Sequence, residues 1–194
     1  MGVTGVVLAA GAGSRFGGDL PKPLVPFRGR PLVTWPLAAL REGGVEDVVV
    51  VLGARADAVA AGADLGGAAV AVCPAWEEGL SASLRCGVEA AVERDAEAVV
   101  VVLGDQPLLR GAAVAAVVQA RAPAEALAVR ATYGGVPGHP SVIESALFTA
   151  VAELRGDTGA RELLRGAAYV RCDGLGSPAD ADTPEALARL AALG

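Results

Sequence analysis

Gly5-Val6-Val7-Leu8-Ala9-Ala10-Gly11-Ala12-Gly13-Ser14-Arg15-Phe16-Gly17-Gly18-Asp19-Leu20-Pro21-Lys22-Pro23-Leu24 is the stretch on which the reading of this chain turns. An apolar run passes directly into a glycine-rich segment carrying Arg15 and Lys22, as a buried strand does when its carboxyl end meets an anionic ligand. Gly11, Gly13, Gly17 and Gly18 lack a Cβ, so their backbone can take positive φ and turn successive N–H groups toward one point. A nucleoside triphosphate suits such a concave site. Two other phosphate loops fail here. A Walker A loop needs Gly-Lys followed by Ser or Thr, which is absent, and in the dinucleotide fingerprint the third glycine would fall on Phe16. The position for its acidic residue is held by Arg30, Pro31 and Leu32. An ordinary flexible turn remains the plain alternative.

Outward from this loop, the apolar runs repeat. Val-rich segments at Gly5 to Ala10, Asp47 to Leu52, Ala68 to Cys73 and Ala98 to Leu103 have little polar alternation, the pattern of strands buried on both faces of a parallel sheet. Helical stretches fall between them at about Pro31 to Glu42, Ala54 to Ala61 and Leu80 to Glu93, with Pro31 expected in a first turn. Strands at Leu127 to Ala131, Pro140 to Ile143 and Ala167 to Cys172 follow. Further helices are expected near Gly111 to Arg121, Glu144 to Leu154, Thr158 to Arg165 and Thr183 to Leu193. The order predicts a three-layer α/β/α fold with a mostly parallel sheet. No internal repeat or long linker divides the 194 residues, so 1–194 reads as one domain. The Gly134 to Gly138 stretch reads as an active-site loop.

Composition narrows the partners. With 53% hydrophobic residues the chain is globular, yet its apolar runs are far shorter than the ~20 residues that span a bilayer. No basic residue precedes the first apolar run, and Val6 stands where a myristoylation signal needs Ser or Thr, so a cytoplasmic location is expected. Cys73, Cys86 and Cys172 form no Cys-x-x-Cys pair and lie beside no histidine, which points to buried free thiols. A net charge of −6 with no basic block argues against nucleic acid and membrane partners. Of the 16 Lys plus Arg, Lys22 is the only lysine, and a compact ammonium suits a phosphate.

In open α/β sheets ligands sit outside the carboxyl ends of the strands. After the fourth strand come Gly104-Asp105-Gln106-Pro107, where a carboxylate could serve Mg²⁺, which takes few carboxylates and fills its shell from phosphates and water. A helix cap is the alternative for a lone Asp there. Asp180-Ala181-Asp182-Thr183-Pro184-Glu185 offers a second carboxylate as well as a normal helix start. Trp76 to Arg85 begins a helix whose small hydroxyl residues, including Ser83, suit base or ribose recognition, with Arg85 near the phosphates. His139, in Gly138-His139-Pro140, reads as a substrate contact. Gly156-Asp157-Thr158-Gly159-Ala160-Arg161 reads as a substrate loop.

Leu8-Ala9-Ala10-Gly11 with Ser14-Arg15-Phe16 and Lys22, Trp76 to Arg85, Leu103-Gly104-Asp105-Gln106-Pro107, Gly138-His139-Pro140, Gly156-Asp157 with Gly159-Ala160-Arg161, and Asp182-Thr183-Pro184-Glu185 together resemble the nucleotidyltransferases of molybdenum cofactor maturation, the cytidylyltransferase branch most. The resemblance runs from Val6 to about Leu190. It implies a Rossmann-like nucleotidyltransferase fold and Mg²⁺-dependent transfer of CMP from CTP to molybdopterin, with release of pyrophosphate. It also implies molybdenum hydroxylases as partners. Residue by residue, it implies that Arg15, Lys22 and Asp105 are catalytic and that Asp105 and Asp182 hold the metal. Leu8, Ala9, Ala10, Gly11, Gly13, Ser14, Arg15, Lys22, Ser83, Arg85 and Asp105 would bind the nucleotide. Gln106, Pro107, His139, Asp157 and Arg161 would contact the acceptor. Asp180 competes with Asp182 as second ligand, and Asp182 is favoured because it directly precedes Thr183-Pro184. The run Asp19 to Leu24 reads more like sugar-phosphate nucleotidyltransferases, so a sugar-phosphate acceptor stands as an alternative, as do GTP, a non-catalytic molybdopterin carrier and a nicotinamide-binding oxidoreductase.

Overall fold

A computed structural model describes residues 2–121, 126–156 and 163–193. The first strand, β1 (Val3–Ala9), lies inside a seven-stranded sheet of order β5-β4-β1-β6-β8-β7-β9. The others are β4 (Val48–Leu52), β5 (Ala69–Val72), β6 (Ala98–Leu103), β7 (Ala128–Tyr133), β8 (Val136–Glu144) and β9 (Ala168–Arg171). Only β8 runs antiparallel to its neighbours, so the expected mostly parallel sheet is found.

In β1, β4 and β6 the apolar runs are continuous because both faces are covered, whereas β5, at the sheet edge, leaves Val70 and Val72 exposed, contrary to expectation. Val7, Val50 and Val100 pack on one side with α1 (Thr34–Glu42), α2 (Ala56–Gly62) and α4 (Gly111–Ala120). Val6, Val51 and Val101 pack on the other with α3 (Leu80–Val92) and α5 (Phe148–Ala152). Full burial of one such valine stabilises the fold by about 1.5–3 kcal/mol, so alternate residues of one strand hold both helical layers. Gly87 lets α3 approach closely, since a Cβ there would lie 2.5 Å from Cγ1 of Val6.

Three expectations need correction. Pro31 does not open a helix: Pro26–Phe27 (β2) and Arg30–Pro31 (β3) form a small hairpin, and α1 begins at Thr34. Gly134 and Gly135 are the tight turn between β7 and β8, at φ of 57° and 81°, and Val136 to Gly138 already belong to β8. The positive φ values match the twist of antiparallel strands. The helix expected from Glu144 starts later, because Glu144 still pairs with Ala98 in the sheet and accepts two bonds from Arg121. Most of the expected helix Thr158 to Arg165 lies outside the described residues. The last helix, α6 (Pro184–Ala191), starts as expected, with Thr183 Oγ1 accepting from the Ala186 N–H at 3.2 Å. Among the described residues no helix is long and apolar enough to cross a membrane.

Candidate active site

From β1 the chain moves by way of α1 to β4 and β5 on one side, then returns to β6 on the other side of β1. That reversal opens a crevice beyond the carboxyl ends of β1 and β6, where ligands bind in such sheets. The glycine loop follows one strand and Gly104-Asp105 the other, so both empty into the same place.

The loop is shaped by Gly13, Gly17 and Gly18, all at positive φ, and the Phe16 N–H donates to the Gly13 carbonyl at 2.8 Å. Gly11 is not among the positive-φ glycines, contrary to expectation. Gly13 has a second duty: a Cβ there would sit 2.4 Å from Cβ of Lys22. Gly13→Ala is therefore expected to strain the loop and push Lys22 off its partners. Because the clash is with a side-chain stem that has little room, the expected cost is about 1–3 kcal/mol of stability and at least a tenfold loss of turnover. Chemical denaturation and kcat measure the two effects, and an unchanged kcat would show that Lys22 does not need this loop.

Lys22 sits in a one-turn 3-10 helix, Lys22–Leu24, flanked by Pro21 and Pro23, whose rings restrict the backbone. Its side chain is 13% exposed. Nζ donates to Asp105 Oδ2 at 2.5 Å and to Asp182 Oδ1 at 3.0 Å, so one ammonium joins two carboxylates. Arg15, mostly exposed, donates to the other oxygen of Asp182 at 3.0 Å. The Lys22 contact, then the charges of Lys22 and Arg15, hold the Asp182 carboxyl below the usual carboxylate range. Asp180 goes the other way: burial pushes it up, Gln106 opposes, and neighbouring Asp105 and Asp182 push it further.

A divalent ion fits this donor set. Asp105 Oδ1 is buried with no hydrogen-bond partner, and the Ala181 N–H donates to the Asp105 carbonyl at 2.8 Å, which pins Asp182 nearby. Two carboxylates, Asp105 and Asp182, meet one ammonium and one guanidinium, and both carry the hard oxygens that Mg²⁺ or Mn²⁺ takes. Among the described residues no group of three ligating side chains closes on a single point. A metal held here by two carboxylates would therefore complete its shell from phosphate and water.

The cleft has a volume of about 220 Å³ and is lined by Gly11, Ser14, Arg15, Lys22, Asp105 and Asp182. A chamber of about 240 Å³ adjoins it, lined by Ala10, Trp76, Ser83 and Leu103 and sharing Leu8, Gly11 and Asp105 with the first. Ala9 borders the cleft as well.

Other candidate residues are placed differently. Arg85 turns away from the cleft: its guanidinium donates to the Leu154 carbonyl at 2.5 Å and to Glu78 at 2.9 Å, because α3 packs against α5. Gln106 is 3% exposed and its Nε2 donates to the Pro178 carbonyl and to Asp180 at 2.8 Å, so it positions that carboxylate, while its buried Oε1 has no hydrogen-bond partner. Pro107 is buried and borders a different cavity. His139 lies half-buried on β8, outside the lining of both chambers, and burial, with Arg130 nearby, pushes its pKa down to about 4. Asp157 and Arg161 lie outside the described residues. Sequence reasoning missed Arg55, in a left-handed conformation before α2, whose guanidinium donates to the Asp19 carbonyl and braces the glycine loop. Its only local signal is Gly53-Ala54 at the end of β4.

Comparison with known proteins places this geometry. The family model described as "MobA-like NTP transferase domain" matches residues 5–172. The nicotine blue oxidoreductase of Paenarthrobacter nicotinovorans is 37% identical over 97% of this chain and 96% of its own length. A bifunctional GlmU protein of Pelobacter propionicus is 37% identical over 56% of this chain, which spans 24% of that protein. Among solved structures, Rv0371c of Mycobacterium tuberculosis superposes with a TM-score of 0.85 at 33% identity, covering 97% of this chain and 96% of that one. Its complex with manganese gives a TM-score of 0.82 at 30% identity over 100% of both chains.

Proposed function

The chain belongs to the MobA-like NTP transferase family, and from that premise we propose that it moves CMP from CTP to the terminal phosphate of molybdopterin, releasing pyrophosphate, with all 194 residues acting as one domain. The observation that carries this reading is the single ammonium of Lys22 set between Asp105 and Asp182 at the mouth of the glycine-loop cleft. A Mg²⁺ ion, held by Asp105 and Asp182, would supply Lewis-acid charge neutralisation on the triphosphate. The loop N–H groups, Arg15 and Lys22 orient the three phosphates, and Ala10, Trp76 and Ser83 border the nucleoside. The acceptor phosphate oxygen forms a bond to the α-phosphorus as the bond from that phosphorus to the bridging oxygen breaks, and pyrophosphate leaves with its electron pair. The acceptor is already ionised at neutral pH, so no general base is required. Molybdenum hydroxylases would receive the product.

Pyrophosphate release tests this, with CTP, GTP, ATP or UTP supplied in turn, with and without molybdopterin, and with Mg²⁺ or Mn²⁺. Release that requires CTP and molybdopterin together is the expected result. Release with GTP moves the reading to guanylyl transfer, and release only with a sugar phosphate moves it to that acceptor. A second reading rests on the name of one relative, nicotine blue oxidoreductase, which matches nearly the whole chain. On it, reduced nicotinamide dinucleotide would pass a hydride to an organic acceptor in the same cleft. Oxidation of that dinucleotide, with no pyrophosphate release from any triphosphate, would decide for it.

His139 provides a check on mechanism. With a folded pKa of about 4 it is neutral at pH 7, so the rate profile should show no histidine limb near pH 6.5. Its stabilising contribution is complete above the unfolded value of about 6.5 and is lost as pH falls toward the folded value. Thermal melts of His139→Gln should accordingly lose less between pH 7 and pH 4.5 than those of the parent protein. Equal losses in both would remove His139 as the cause.

A further inference from the structure

We infer that a second cavity, sharing no lining residue with the glycine-loop cleft, binds a phosphorylated organic molecule. It lies between the β2–β3 hairpin, α1 and the segment that leads from Pro107 into α4, and its volume of about 490 Å³ is that of a small-molecule site. Arg28 and Arg30 of the hairpin and Arg110 at the start of α4 line it. None of the three forms an ion pair among the described residues.

Two of these guanidiniums are held by aromatic rings instead. Arg28 lies 5.1 Å from the centroid of Phe27, and Arg30 lies 4.7 Å from that of Trp35. The rings are themselves locked edge to face, with Trp35 Nε1 donating to the Phe27 carbonyl at 3.1 Å. Stacking fixes the plane of a guanidinium without using its N–H groups. The bonds these arginines do make are long, 3.3 Å from Arg28 to the Ala191 carbonyl and 3.5 Å from Arg30 to the Thr34 carbonyl, so most of their donors are unused. In a protein of net charge −6, three unpaired cations at one opening repel one another, and a multiply charged anion removes that repulsion. A phosphoryl group accepts from such forks in bidentate fashion.

The cavity is larger than a phosphoryl group needs, and its remaining wall indicates what else enters. Trp35, Ala38, Ala39 and Leu109 present apolar surface, and Glu42, the one carboxylate in the lining, can accept a hydrogen bond from a hydroxyl. The ligand is therefore a phosphate ester with an apolar or aromatic body.

Phenyl phosphate is the probe, titrated calorimetrically into the metal-free protein, with inorganic phosphate as the comparison. The expected result is saturable binding to the parent protein and to Lys22→Met, with affinity at least about tenfold above that of inorganic phosphate and at least about tenfold weaker in Arg30→Gln and in Arg110→Gln. Circular dichroism melts of both arginine variants should match the parent, since both side chains are exposed. Retention of Lys22→Met binding separates this cavity from the glycine-loop cleft, so the outcome does not depend on the transferase reading. Binding that survives both arginine changes, that disappears in Lys22→Met, or that is absent altogether overturns the proposal. Equal affinity for inorganic phosphate overturns the organic body.

Discussion

Lys22→Ala is expected to lower kcat by about 10² to 10³, a loss of about 2.7–4 kcal/mol of transition-state stabilisation by analogy with removed oxyanion donors. The protein is expected to keep its fold, because Pro21 and Pro23 hold the turn without the ammonium. Metal binding should move the other way. In the metal-free protein the ammonium holds Asp105 Oδ2 and Asp182 Oδ1 and leaves Asp105 Oδ1 unpartnered, so its positive charge opposes a divalent ion bound at the same two carboxylates. Mn²⁺ affinity, read by electron paramagnetic resonance, should hold steady or rise in Lys22→Ala while turnover falls. Loss of Mn²⁺ binding would show that Lys22 builds the site instead of competing for it.

The same substitution changes the acid limb of stability. The folded Asp182 carboxyl lies below its ordinary range, chiefly through Lys22, so its contribution is complete above the unfolded value and is lost as pH falls through the folded one. Without Lys22 the folded value returns toward the ordinary one, so this acid-limb contribution shrinks.

Asp105→Asn is expected to have the second large effect. Its shape is nearly that of Asp, but it lacks the charge that meets Lys22 and leaves an amide where the buried, unpartnered Oδ1 stood. Turnover should fall by several orders of magnitude, more than about 4 kcal/mol, and Mn²⁺ binding should fall with it. Far-ultraviolet circular dichroism should be unchanged, because the Ala181 N–H bonds to the backbone carbonyl of residue 105 and not to its side chain. Near-normal turnover with Mg²⁺ would remove Asp105 from the metal site. The two variants together separate roles that a single loss of activity would merge: Lys22→Ala keeps the ion and loses rate, whereas Asp105→Asn loses both.

The strands were legible because their signal is local. Val48 to Leu52 and Val99 to Leu103 are apolar at consecutive positions, which a strand covered on both faces buries, and β1, β4 and β6 fall where such runs stand, whereas the first half of β8, with Pro137, Gly138 and His139, carries no such signal. The start of α6 was legible for the same reason, since Thr183, Pro184 and Glu185 act within one turn. The β2–β3 hairpin was not. Two residues per strand carry no periodicity, and Pro31 can open a helix as readily as it can sit in an edge strand.

The site divides along the same line. By itself the sequence determined that a glycine loop with Arg15 and Lys22 follows the first strand and that Asp105 follows the fourth, because each motif lies within a few residues of a strand end. Only the tertiary structure decided that Lys22 joins Asp105, 83 residues away, to Asp182, 160 residues away. It also turned Arg85 onto α5's flank, buried Gln106 beneath Asp180 and gathered Arg28, Arg30 and Arg110 around one cavity. Propensity and periodicity act over one or two turns of chain, whereas the direction of a charged side chain depends on which strands lie side by side, and the parallel crossovers of this sheet bring together residues that no local pattern relates.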